Sequence, residues 1–236
     1  MQKDFFKTIN SDLKAYLLGF IVADGSIGIR TRNRGTEYSL SFSIHKRDKY
    51  IFDLFKDHVK DNINLGILND TYLRFSIYGK DFIDNIMSHN VLPCKTYKEM
   101  NIPQMEDNLK IHFIRGYFDG DGTCVANITK SHFRKISSSW SYRRKSTFRI
   151  FSKKCNILSE IQSFFEDYSI KLNLNYLKSK DGYTLSSSSR ENLSKIYNLF
   201  YNNSEFYLKR KEESFYFTTI TSSEFFVIKG KEPCRA

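Results

Sequence analysis

Leu17–Gly25 reads LLGFIVADG, and Ile114–Gly122 reads IRGYFDGDG. Each is an apolar helical run closing on an aspartate and a glycine, Asp24–Gly25 and Asp121–Gly122. Leu13, Tyr16, Leu17, Phe20 and Ile21 recur at the three-and-four spacing of one helical face. The spacing predicts a helix over residues 12–23, capped by Asn10 or Ser11. Gly19 and Gly116 each stand five residues before their acid. A glycine inside a helix costs about 1 kcal/mol against alanine, so its use there marks a place where another backbone comes close. Gly25 and Gly122 read as left-handed stops for the two helices.

The acids are electrostatically odd. An aspartate at a helix C-terminus meets the negative end of the macrodipole, where a cation is preferred. If the helices pack side by side through their glycines, Asp24 and Asp121 arrive at the same end. Two carboxylates so close repel unless a proton or a metal lies between them. Hard divalent cations would make sense of that design.

The rest of the chain narrows the partner. Its 236 residues carry a formal charge of +11, a pI near 9.4 and 16% aromatic residues. That balance points to a polyanion, most simply nucleic acid held through its phosphates. Cys94, Cys124, Cys155 and Cys234 form no CxxC and have no histidine at ligand spacing. They read as free thiols in a reducing compartment such as a bacterial or phage-host cytoplasm or an organelle matrix, not a secreted setting. The first residues, MQKDFFKTINSDLK, contain no signal-peptide run, and no segment is expected to span a membrane. No Ser/His/Asp or Cys/His arrangement suggests covalent catalysis.

After the first acid comes SIGIRTRNR, a strand over 26–34 with Ile27 and Ile29 inward. Its return strand, 38–46, places Leu40, Phe42 and Ile44 on one face and Ser39, Ser41, Ser43 and His45 on the other. An apolar back with an Arg/Ser front suits a surface lying in a DNA groove. A helix is expected over 48–60, then a second hairpin whose better strand is 72–78, then a helix over 81–89. VLPCKTYK closes the half, and NIPQMEDN links to the next. The second half repeats this order at separations that grow from 97 residues (Asp24 to Asp121) to 106 (Ile44 to Ile150) and 116 (Lys95 to Lys211). The growth is assigned to loops, chiefly the basic stretch Lys130–Lys145 around Trp140. Tyr183–Ser189, YTLSSSS, offers few inward apolar residues, and Thr221–Ala236 reads as a surface strand with a loose end.

The paired motifs resemble the two signature helices of the LAGLIDADG homing endonucleases, in the single-chain form with two motifs. The resemblance implies an α+β fold of two αββαββα halves, residues 1–102 and 103–236, related by a pseudo-two-fold and joined through the signature helices. Two antiparallel sheets would form a saddle along the major groove of double-stranded DNA, served by a monomer. It implies a staggered double-strand break by hydrolysis in a long target, with Mg²⁺ as cofactor and Mn²⁺ able to substitute. Asp24 and Asp121 are the motif's metal-binding acids, assisted by the carbonyls of Ala23 and Gly120. Asp119, opposite Val22 of the first copy, reads as a helix-interface or capping residue. Lys95 and Lys211 fall where the family places its pocket lysines; Lys46 and Ser152 end the second strand of each half, with His45 and Lys153 one residue away. In the first half, base contacts are expected from Arg30, Arg32, Arg34, Ser41, Ser43 and Arg74. In the second they are expected from Asn127, Thr129 and Arg149. Two other readings stay open: a maturase acting on intron RNA, and a DNA-binding regulator that does not cut.

Overall fold

The computed structural model describes residues 3–33, 35–59, 63–132 and 140–230, with the backbone alone for 130–132 and 140–143. Arg34, Cys234 and the end of the tail lie outside the described residues.

The first signature helix, α1 (Asp12–Asp24), is capped by Ser11, whose hydroxyl accepts from the Lys14 amide. It is buried all round from Ala15 to Val22, so the apolar stripe is one side of a fully enclosed rod. β1 (Ser26–Arg32) and β2 (Gly35–His45) follow as a hairpin, then α2 (Lys49–Val59), β3 (Ile63–Ile67), β4 (Tyr72–Tyr78) and α3 (Lys80–Met87). A 3-10 turn at Lys95–Tyr97 precedes the linker to the next helix. The second half runs α4 (Asp107–Asp121), β5 (Gly122–His132), β6 (Trp140–Ser152), α5 (Asn156–Asp167), β7 (Asn173–Leu177), β8 (Gly182–Ser187) and α6 (Arg190–Tyr201). It closes with α7 (Lys209–Thr219) and α8 (Ser222–Ile228).

Both sheets are antiparallel and have the same order, β1-β2-β4-β3 and β5-β6-β8-β7. Leu40, Phe42 and Ile44 face the core opposite Ile77, Phe75 and Leu73, as the alternation requires. In the second sheet Ile150 opposes Leu185, but Phe148 opposes Ser187. Ser187 is buried and satisfied: its hydroxyl accepts from the Ser189 amide and the Asn192 side chain. Buried Thr184 likewise donates to the Ile150 carbonyl. Local hydrogen bonds thus do in YTLSSSS what apolar side chains do elsewhere.

The sequence reading needs correction in four places. Ile27 is buried as expected, but Ile29, expected inward beside it, is 41% exposed opposite half-buried Tyr38. Gly25 and Gly122 are not left-handed: their φ values are −71° and −82°, with extended ψ. Glycine is needed because the strand leaves tight against the last turn. A Cβ at Gly25 would lie 2.7 Å from the Ile21 carbonyl oxygen, and one at Gly122 would lie 2.1 Å from the Phe118 ring. Much of the basic Lys130–Lys145 stretch is not loop, since β5 and β6 stay paired out to His132 and Trp140. The segment after Thr221 is helical, started by a capping box in which Thr221 and Glu224 satisfy each other's backbone amides. Arg144 ties it down by donating to the carbonyls of Phe217 and Ile220 and lying over the Phe225 ring. Among the described residues, no helix is long and apolar enough to cross a membrane.

Candidate active site and nucleic-acid interface

α1 and α4 touch backbone to backbone. A Cβ at Gly19 would lie 2.0 Å from the Phe113 carbonyl oxygen, and one at Gly116 would lie 2.0 Å from that of Tyr16. Farther along, a Cβ at Gly120 would meet the Ala23 Cβ at 2.3 Å and the Asp24 Cγ at 3.5 Å. Tyr16, Gly19 and Ala23 therefore meet Phe113, Gly116 and Gly120 in rising order. The helices are parallel, and both acids arrive at the same end.

Both acids reach solvent, yet the protein crowding them removes enough water to raise their pKa values. Burial, and then the charge of Asp24, pushes the Asp121 carboxyl up to about 6, against the pull of Lys95 and Lys211. Burial raises Asp24 too, opposed by Lys211, Lys95 and Arg210. Lost water, more than the charge of the neighbouring acid, is what raises both carboxyls.

The two lysines bind the helix ends. Lys95 Nζ donates to the Ala23 carbonyl at 2.9 Å. Lys211 Nζ donates to the carbonyls of Phe118 at 2.8 Å, Gly122 at 2.7 Å and Gly120 at 3.3 Å. Cations at helix C-termini are favourable, and they take the carbonyl positions that two aspartates cannot. Burial lowers the pKa of Lys95 and pushes that of Lys211 down to about 8.

Two clefts flank the helix pair, each built from both halves. One holds Asp121, Tyr117, Ser152 and Lys153 of the second half with Ala23 and Lys95 of the first. The other holds Asp24, His45, Arg47 and Asp48 of the first half with Asp119 and Arg210 of the second. Ser152 lines the first cleft together with Tyr117. Lys46 is exposed, and its neighbours His45 and Arg47 line the cleft in its stead. A 3-10 turn over Lys46–Asp48 rotates the chain there, capped by the His45 ring, whose Nδ1 accepts from the Arg47 amide.

Asp119 is a capping residue, as expected. Its Oδ2 accepts from the Tyr16 hydroxyl and from the Leu208 amide at the start of α7, each at 2.8 Å. It thereby fixes the helix that carries Arg210 and Lys211. Its Oδ1 is buried without a partner, and burial raises its carboxyl to about 6.

The sequence reading missed the pair Asp48–Arg210. Arg210 Nε donates to both oxygens of buried Asp48 at 2.7 and 3.0 Å, and Nη2 donates to Oδ2 at 2.5 Å. Asp48 looks in the sequence like a cap for the next helix, and its partner is 162 residues away. It missed fully buried Arg115 as well, which donates to Phe200, Ser204 and Phe206 and ties α4 to the turn before α7.

The sheet faces turned from the core carry most of the expected base-reading residues. On the first, Ser41 pairs with Ser76 and Ser43 with Arg74, while Arg30 opposes Glu37. Arg32 lies 3.8 Å from Glu37, and the Ser41 and Ser76 hydroxyls are 2.8 Å apart. On the second, Arg149 opposes Thr123, Asn127 opposes Lys145 and Thr129 opposes Arg143. Val125 stands among them, unremarked in the sequence.

Two parallel helices sealed by glycines each deliver an acid to a cleft built from both halves, between two polar sheet faces. Residues 114–221 match the family model described as LAGLIDADG endonuclease, and the whole chain has the fold of solved LAGLIDADG meganucleases. Among solved structures, I-SmaMI bound to an uncleaved DNA target with calcium ions is similar at TM-score 0.67 and 12% identity, over 94% of this chain and 98% of that one. The meganuclease I-AabMI bound to uncleaved DNA gives TM-score 0.64 at 14% identity, over 94% and 92% of the two chains. I-SmaMI bound to cleaved DNA gives 0.65 at 11%, over 94% and 91%. No curated protein matches the chain by sequence.

Proposed function

We propose that this protein is a homing endonuclease that cuts both strands of a long double-stranded DNA site by metal-dependent hydrolysis. The reading is carried by one observation: two acids meet at abutting helix ends, each facing a cleft to which the other half contributes a basic side chain. Two clefts suit two scissile phosphates. The matched structures, described as bound to uncleaved and cleaved DNA, support the same substrate class.

The site fits Mg²⁺. Asp24 and Asp121 are hard oxygen donors at abutting helix ends, and the carbonyls of Ala23 and Gly120 beside them in the chain already accept from Lys95 and Lys211. Among the described residues no cluster of three or more His, Cys, Asp or Glu could cage an ion. Mg²⁺ commonly keeps several waters and binds through one or two carboxylates plus substrate phosphate. When bound, such ions acidify water and offset charge on phosphate oxygens.

The chain's own groups do the rest. Lys95 and Lys211 hold the helix ends rigid and set positive charge behind the phosphates. Ser152 and Lys153 in one cleft, and His45 and Arg47 in the other, are placed to orient water. Arg30, Ser41, Ser43 and Arg74 on one sheet, with Asn127, Thr129 and Arg149 on the other, read base edges in the major groove. The protein acts as a monomer, and its unbonded Cys94, Cys124 and Cys155 suit a reducing compartment.

The test is a cleavage selection from a random duplex library with Mg²⁺, followed by binding and cutting assays on the recovered site. Asp24→Asn and Asp121→Asn are expected to bind that site and leave the double strand uncut. A variant that still cuts both strands at the normal rate would refute the assignment of the acids.

A further inference from the structure

The two hairpins that leave the acids are equivalent in position and unlike in chemistry. Four residues beyond Asp24 stands Gly28, opposite Ser39; four beyond Asp121 stands Val125, opposite Thr147. The first pair has no methyl group at all. The second has three, on a face otherwise set with hydrogen-bonding and charged residues. Toward the acid, the next pair on that face is Thr123–Arg149, and away from it Asn127–Lys145.

Val125 is 37% exposed, whereas its neighbour Cys124 points into the core. Its side chain therefore shares the outward face with Arg149 and Asn127. A single exposed valine is ordinary on a protein surface. This one is bracketed by the residue types that grip guanine and adenine edges, and its cross-strand partner adds another methyl. In the major groove the thymine C5-methyl is the feature that an apolar side chain recognises.

We infer that Val125, with Thr147, reads a thymine methyl in the half-site on the second sheet, at the step between the bases facing Arg149 and Asn127. The first half-site, read there by Gly28 and Ser39, has no such requirement. The inference rests on the proposal that these faces lie in the major groove, and it makes the target asymmetric at that step.

The experiment selects bound duplexes from a random library, then replaces each thymine of the recovered site by deoxyuridine, which lacks only the methyl. Wild-type protein should enrich thymine at one step facing β5, and uracil there should weaken binding about fourfold, the worth of one buried methyl. In the double variant Val125→Ser/Thr147→Ser, which removes all three methyls at outward-facing positions, the thymine-to-uracil ratio should fall to nearly one. The inference is overturned if no thymine is enriched at that step, or if uracil costs the Val125→Ser/Thr147→Ser variant as much as wild type. If neither half of the library shows enrichment, the major-groove proposal falls, and this inference with it.

Discussion

Asp121 reaches solvent beside Asp24, but the protein around the pair leaves it less water than a free carboxylate has. Its carboxyl titrates near 6, against 3.8 for an ordinary aspartate. Between those values the folded chain binds more protons than the unfolded one, so without metal this group makes stability fall as pH rises through the window. Asp121→Asn should thus stabilise the metal-free protein at neutral pH. The gain should be roughly 1 kcal/mol, held down because the residue reaches solvent. Urea unfolding in chelator checks the sign. Cutting should fade as the medium is acidified through about 6, and added Mg²⁺ should move the midpoint lower, since ion and proton compete for one carboxylate. The acids could be read from the paired motifs, and the lysines only through the family resemblance and the repeat that aligns them. The Asp48–Arg210 pair could not: ion-pair partners from different halves leave no local pattern.

At the level of elements, the glycine seam between α1 and α4 has no slack. Gly19→Ala or Gly116→Ala puts a methyl 2.0 Å from a backbone carbonyl oxygen that cannot rotate away. Each should cost 1–3 kcal/mol or more, typical of overpacking, and should slow cutting by displacing the acids; chemical denaturation and cleavage rates check the two effects. The helices and sheets were legible where the apolar period is clean, as in α2 and β4. The last element was not, although its signal is present: Thr221 and Glu224 stand at capping-box spacing. Thr221→Ala should cost about 1 kcal/mol, seen as earlier loss of α8 in hydrogen exchange.

For the whole molecule, a charge of +11 makes salt the main control on affinity. Arg30→Ala and Arg74→Ala, on the face we assign to base reading, should each relax specificity at one position by about 1–3 kcal/mol. The slope of binding against salt should stay near that of wild type, which titrations at several ionic strengths would reveal. The internal repeat made the two-fold plan readable from the sequence. What it hid is how far the copies have diverged: Val22 stands where Asp119 does, and Gly28 where Val125 does.

That divergence reaches the arms holding the two lysines. Lys211 is 8% exposed, on an eleven-residue helix whose start Asp119 secures. Lys95 hangs on three residues of 3-10 turn and reaches a single carbonyl. Gentle warming should loosen the weaker arm first. A heated sample would then pass through a stage at which it nicks plasmid and no longer linearises it, so wear alone would turn a cutter of two strands into a cutter of one.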